Sequence, residues 1–207
     1  MHKETLNNET EKVFNLIKEI AQDFYLAGGT ALALQLGHRV SVDLDFFTTE
    51  NFIAQDILLQ LSTKGSLEID SQSENTINGT INGVKISFFK LPFKLLFQTQ
   101  DFLGVKIADE RDIAAMKILA ISGRGSKKDF VDLFFLLKKY SLKEILDFFY
   151  EKYSNFNYNN MHILKSLTYF EDADTDGEPI YIFPTKWEEV KSKIQKEVKD
   201  YLDKYLI

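Results

Sequence analysis

The chain has 207 residues, 44% of them hydrophobic, with 18 Phe, 9 Tyr, no Cys and a formal net charge of −6. That length and apolar content suit one large domain, or a core domain with a helical appendage, and exclude a disordered chain. The lack of cysteine excludes a disulfide framework, a thiolate metal site and a cysteine nucleophile, and the acidic balance leaves any nucleic-acid contact to a local patch.

The opening MHKETLNNET has no apolar stretch of the kind a signal peptide needs. No window approaches the roughly 18 apolar residues of a membrane span. A soluble, cytoplasmic protein with no membrane partner is therefore expected. Glu11–Asp23 carries Val13, Phe14, Ile17, Ile20 and Ala21 at helical spacing. Phe24–Ala27 is a short apolar run ending at Gly28-Gly29, which predicts a buried strand entering a tight turn. Thr30–Gly37 (TALALQLG) predicts a two-turn helix with a glycine C-cap. Val42–Phe47 alternates Val42, Leu44 and Phe46 with Asp43, Asp45 and Phe47, the period of a strand.

Thr49–Lys64 predicts an amphipathic helix with Ile53, Ile57, Leu58 and Leu61 inward. Asn78-Gly79 and Asn82-Gly83 are both hairpin signals, set among strand-like runs at Leu67–Asp70, Thr76–Ile81 and Val84–Phe89. Val105–Ala108 predicts one more short strand. Helices are then expected at Glu110–Ser122, Lys128–Lys139, Leu142–Tyr150, Met161–Tyr169 and Trp187–Tyr205, with Glu171–Pro184 as a loop. The sum is an α/β (α+β) fold: a mixed-sheet core over residues 1–100, then a helical half over 101–207.

Asp43 and Asp45 stand at i and i+2 of a strand and so leave one face. Two carboxylates there repel each other unless a cation lies between them. Their hard oxygens suit Mg²⁺ (or Mn²⁺), which often binds through one or two carboxylates plus substrate phosphates. Gly28-Gly29-Thr30 lets the backbone approach a ligand and opens a helix, whose free N–H groups and dipole favour phosphate. The short helix between the two motifs allows the strand of Asp43 to lie beside the strand ending at Gly28. Phosphate loop and carboxylates would then share one mouth. Arg39 and Ser41, between them, are candidates for contacting a phosphate or supporting an aspartate.

Gly28-Gly29, the short helix and Asp43-Leu44-Asp45 resemble the nucleotidyltransferase superfamily that includes DNA polymerase beta. The fuller string GGTALALQLGHRVSVDLDFF is similar, more narrowly, to the AbiEii/AbiGii toxins of type IV toxin–antitoxin systems, relatives of the mycobacterial MenT enzymes. RDIAAMKILAISGRGSKKDFVDLFFLL, GVKISFF and SLTYFEDAD extend the resemblance over most of the chain. It implies transfer of a nucleoside monophosphate from a nucleoside triphosphate to an acceptor, with tRNA as a candidate and a cognate antitoxin as partner. It also implies that Lys117 and Asp129, from the helical half, complete the active site, with Lys117 binding the nucleotide by neutralising its triphosphate. The alternatives are a nucleotide-binding module without turnover and a kinase-like phosphotransferase.

Ser126-Lys127-Lys128-Asp129 fits a helix-capping pattern. Asp132, one turn on within the apolar VDLFFLL, needs a cationic partner, and Lys117 or Arg124 can supply one. Enzymes of the wider superfamily usually carry a third carboxylate on a neighbouring strand. The matching strand here is Val84–Phe89, where Ser87 takes that place, which leaves one metal or two open. Arg124, Lys127 and Lys128 form a modest basic cluster for RNA. Asp172, Asp174 and Asp176 imitate the start of a calcium loop, but Phe183 stands where its bidentate Glu belongs. His2, His38 and His162 are too scattered to form a metal site.

Overall fold

The computed structural model describes residues 1–205. The chain forms two compact units, the first ending at Asp109 and the second beginning at Glu110. In the first, a 3₁₀ turn at Lys3–Thr5 leads into α1 (Asn8–Ile17), where the Asn7 side chain accepts the Thr10 N–H. α1 stops at Ile17 rather than Asp23, because the N–H groups of Ile20 and Ala21 turn back onto the Ile17 carbonyl. β1 (Tyr25–Ala27) runs directly into α2 (Gly28–Leu36), which ends on Gly37 in the left-handed conformation. β2 (Leu44–Thr48) follows, then α3 (Ala54–Ser62). α3 begins five residues later than the sequence pattern predicts. Ahead of it, the Glu50 N–H bonds the Thr48 hydroxyl and the Phe52 N–H bonds the Asn75 side chain, so these donors are committed elsewhere.

The strands β3 (Leu67–Ser73), β4 (Thr76–Ile81), β5 (Val84–Lys90), β6 (Gln100–Phe102) and β7 (Val105–Ile107) complete a mixed seven-stranded sheet in the order β3-β4-β5-β2-β1-β7-β6. The pairs β2·β5 and β1·β7 are parallel and the other four are antiparallel. Asn82-Gly83 makes the β4–β5 turn with both residues at positive φ, 50° and 78°, as a two-residue primed turn requires. Asn78-Gly79, predicted as a hairpin turn, lies inside β4 instead. Gly79 is there for closeness, since a Cβ would collide with the Glu68 carbonyl oxygen on β3. The β3–β4 turn falls at Asn75, itself at φ 59°. β3 is an edge strand whose pairing slips between Ile69 and Ser71, and its residues after Leu67 are exposed.

One face of this sheet is sealed. Leu26, Leu44, Phe46, Ile77, Ile86 and Phe88 are fully buried on it. Phe88 stacks on Phe46 at 5.0 Å and meets Phe24 edge-on, also at 5.0 Å. The register places Asp45, Ser87, Phe47 and Phe89 on the opposite face.

The second unit is helical: α4 (Glu110–Gly123), α5 (Lys127–Leu136), α6 (Leu142–Lys152), α7 (Asn160–Ser166), α8 (Glu171–Thr175) and α9 (Trp187–Tyr205). α4 packs on α5, α6 and α7, while α9 packs on α5 and α6. α6 opens with a full capping box between Ser141 and Glu144. α8 falls within the stretch predicted as loop. Acidic residues in it and just after it are engaged: Trp187 and Lys191 bond the Asp174 carboxylate, and the Lys127 N–H donates to Asp176. Among the described residues, no helix is long and apolar enough to cross a membrane.

Candidate active site

The predicted adjacency of strand and loop is present. β1 pairs antiparallel with β2 so that Ala27 faces Asp45, and Ala27 is the last residue before α2. Asp45 thus stands at the N-terminus of α2, where backbone N–H groups lack helical partners. Gly28 adopts φ 71°, and a Cβ on it would lie 3.0 Å from Asp45 Oδ2. Glycine is needed here twice over, for the backbone angle and for the space next to the carboxylate.

Asp43 precedes β2 instead of lying within it, and is anchored through its backbone. The Thr30 hydroxyl donates to the Asp43 carbonyl oxygen and shares a 2.9 Å hydrogen bond with Ser41 Oγ. Thr30 is 1% exposed, so its side chain is an internal peg and its outward contribution is limited to the backbone. Gly29 has its own reason. A Cβ there would collide with the Arg39 guanidinium and lie 3.3 Å from Ser41 Oγ. Arg39 is buried beneath the first turn of α2 and donates from Nη1 to the Val40 carbonyl oxygen at 3.1 Å. Gly28, Gly29, Thr30, Arg39, Ser41, Asp43 and Asp45 therefore form one knot around the start of α2.

Gly28→Ala tests the knot directly. A methyl group there must tolerate a left-handed backbone and displace a carboxylate, at a cost of about 1–2 kcal/mol for the backbone angle alone. We expect a lower melting temperature and a larger loss of nucleotide affinity than Gly177→Ala gives, since a Cβ on Gly177 meets nothing within 4 Å.

Asp45 is directly opposite Ser87 on β5, with Asn78 of β4 beyond it. The strand expected to carry a third acid is thus in place with a hydroxyl there, and Ser87 is buried. Among the described residues no group of three or more His, Cys, Asp or Glu side chains is arranged to hold a metal ion. The donor set near α2 is all oxygen and contains two carboxylates. That chemistry fits a hard divalent cation completed by substrate phosphate and water, which is how Mg²⁺ is usually held.

In the second unit, Lys117 on α4 reaches across to α5. Its Nζ lies 2.8 Å from Asp129 Oδ1 and 2.6 Å from Asp132 Oδ2. The side chains are 8%, 4% and 0% exposed in that order, so this is a desolvated trio. Of the two cations expected to serve Asp132, Lys117 is the one that does. Ser126 is the N-cap residue of α5, but its hydroxyl donates to Asp129 Oδ2 at 2.6 Å and does not accept a helix N–H. Burial alone would raise the Asp129 pKa, but the charge and hydrogen bond of Lys117, with the Ser126 hydroxyl, hold it below the usual carboxylate value.

A depressed native pKa means that the unfolded chain takes up the Asp129 proton first as pH falls. Its stabilising contribution is complete above the ordinary aspartate pKa, near 3.8, and is lost as pH falls through the lower native value. We expect the melting temperature of wild type to drop more steeply than that of Asp129→Asn between about pH 5 and pH 2, as followed by circular dichroism.

Two features of this unit were not legible in the sequence. Asp112 and Lys152 form a fully buried ion pair at 2.7 Å between α4 and α6; they are 40 positions apart and share no motif. Lys127, predicted as part of an RNA-receiving cluster, is buried, with Nζ donating to the Asp176 carbonyl and to Glu178. Arg124 and Lys128 remain as the exposed members.

The mixed sheet, with a helix-opening Gly-Gly next to Asp45, agrees with the nucleotidyltransferase resemblance of the sequence. The model of the nucleotidyl transferase AbiEii toxin family, type IV toxin–antitoxin system, matches residues 16–89 and 88–206. The chain belongs to that family and is a nucleotidyltransferase. An uncharacterized protein of Aquifex aeolicus, aq_aa25, is 43% identical over 201 residues, covering 93% of this chain and 94% of its own. The fold is similar to that of JHP933 from Helicobacter pylori, with a TM-score of 0.55 at 17% identity over 95% of this chain and 91% of that one. It is also similar to MenT4, a nucleotidyltransferase toxin from Mycobacterium tuberculosis, with a TM-score of 0.58 at 14% identity over 93% and 83% of the two chains.

Proposed function

We propose that the enzyme transfers a nucleoside monophosphate from a nucleoside triphosphate to an acceptor hydroxyl, releasing pyrophosphate. The observation that carries this is the Ala27–Asp45 register, which sets a carboxylate at the mouth of a glycine-opened helix. The triphosphate lies on the backbone N–H groups at Gly28, Gly29 and Thr30, where helix dipole and free donors favour anions. Asp43 and Asp45 hold Mg²⁺ or Mn²⁺, which when bound offsets charge on the transferring phosphoryl group. Arg39 and Ser41 support the loop from below and keep it in a shape set before the nucleotide arrives. Lys117 and Asp129 serve the same reaction. A carboxylate kept ionised by a neighbouring ammonium suits holding that lysine in place better than passing a proton. The acceptor we assign is tRNA and the regulator a cognate antitoxin protein, both on the family relationship, with the cytoplasm as the place of action.

The test is incubation with Mg²⁺, each α-labelled ribonucleoside triphosphate and total RNA. Label in RNA together with free pyrophosphate is the expected result. Release of diphosphate would point to phosphotransfer instead. No transfer from any nucleotide to any acceptor would sink the reading.

A further inference from the structure

Three rings cross the sheet face opposite the sealed core in one row. Tyr25 on β1 faces Phe47 on β2, and Phe47 faces Phe89 on β5. Tyr25 and Phe47 are stacked at 6.0 Å with planes 26° apart, and Phe47 and Phe89 lie 5.5 Å apart at 32°. This row is one side-chain step along the strands from the row Ala27, Asp45, Ser87. In the other direction from Asp45 lie Asp43 and the first turn of α2. The order is therefore N-terminus of α2 and Asp43, then Asp45, then the aromatic row, with about 7 Å between successive same-face positions on a strand. Tyr25 is buried, whereas Phe47 and Phe89 are only half-buried. Phe47 and Phe89 are thus two adjacent, partly exposed phenyl rings on the sheet face that carries Asp45, one step along the strands from it.

We propose that Phe47 and Phe89 form the platform on which the nucleobase of the donor triphosphate stacks. A triphosphate is polar at one end and flat and aromatic at the other, and the face of this sheet has the same polarity along β2. Stacking on phenyl rings accepts any base, since every base has a π-face. The proposal holds only if the triphosphate lies at the α2 N-terminus, as argued above.

The experiment titrates the full-length protein, with Mg²⁺, against each ribonucleoside triphosphate and against inorganic tripolyphosphate, which has the charge and no base. In wild type at least one nucleotide should bind roughly ten- to a hundredfold more tightly than tripolyphosphate, the range that stacking on an aromatic side chain supplies. Phe47→Leu and Phe89→Leu, which keep apolar bulk, should close most of that gap and leave tripolyphosphate affinity unchanged. Phe47→Tyr should preserve it. A gap that survives both leucine variants, or no gap in wild type, overturns the stacking role while leaving the triphosphate site standing. Loss of tripolyphosphate binding in the leucine variants also overturns it, by showing that the rings hold the fold and not the base. Wild type that binds neither probe removes the triphosphate reading itself.

Discussion

Asp45→Asn is expected to lower nucleotidyl transfer by roughly a thousandfold or more, with little change in melting temperature. Losing a metal-binding carboxylate removes several kcal/mol of transition-state stabilisation, and each 1.4 kcal/mol is about tenfold in rate. Asparagine has nearly the same shape, and Asp45 is on the half-open face, away from the sealed core of Leu44 and Phe46. Asp43→Asn should behave alike, because the backbone carbonyl through which Thr30 anchors that residue is untouched. The readout is label transfer from the preferred triphosphate, paired with a thermal melt. A rate within tenfold of wild type in both variants would show that these carboxylates do not carry the metal.

Lys117→Met should have the largest effect on stability. It removes the buried ammonium that pairs with both Asp129 and Asp132, whose side chains are 4% and 0% exposed, and leaves Asp129 with the exposed Arg124 at 3.7 Å. Breaking a buried pair by deleting one partner costs about 3–5 kcal/mol, because the other charge stays behind without water. For a chain of this length that is a fall of roughly 10 °C in melting temperature. Adding Asp132→Leu to Lys117→Met should recover part of the loss, since it removes one stranded carboxylate. A single variant that melts within about 2 °C of wild type would mean that water already reaches the trio.

The sequence carried one adjacency better than it carried the fold's other details. That Gly28-Gly29 would lie beside the strand of Asp45 was legible because the short helix between them leaves the chain few routes. The demand of Asp132 for a cation was legible because a charge inside VDLFFLL cannot be left alone. What failed was local signal against tertiary demand. Asn78-Gly79 has the composition of a turn, but close approach of β3 required the glycine inside a strand. The start of α3 was misplaced because Thr48 and Asn75, not a recognisable cap, take up the donors ahead of it. The Asp112–Lys152 pair had no pattern to find, since its members meet only after α4 and α6 have packed.

The edge strand β3 has a consequence for the life of the protein in a crowded cell. A sheet that ends in an exposed strand presents unused backbone donors and acceptors to any other extended chain. Here that border is Glu68–Ser73, polar apart from the exposed Ile69, with the pairing slipped at its middle. Charge and a kink together refuse an incoming strand. On this border, then, edge-to-edge pairing with another chain is disfavoured by the same residues that pair it with β4.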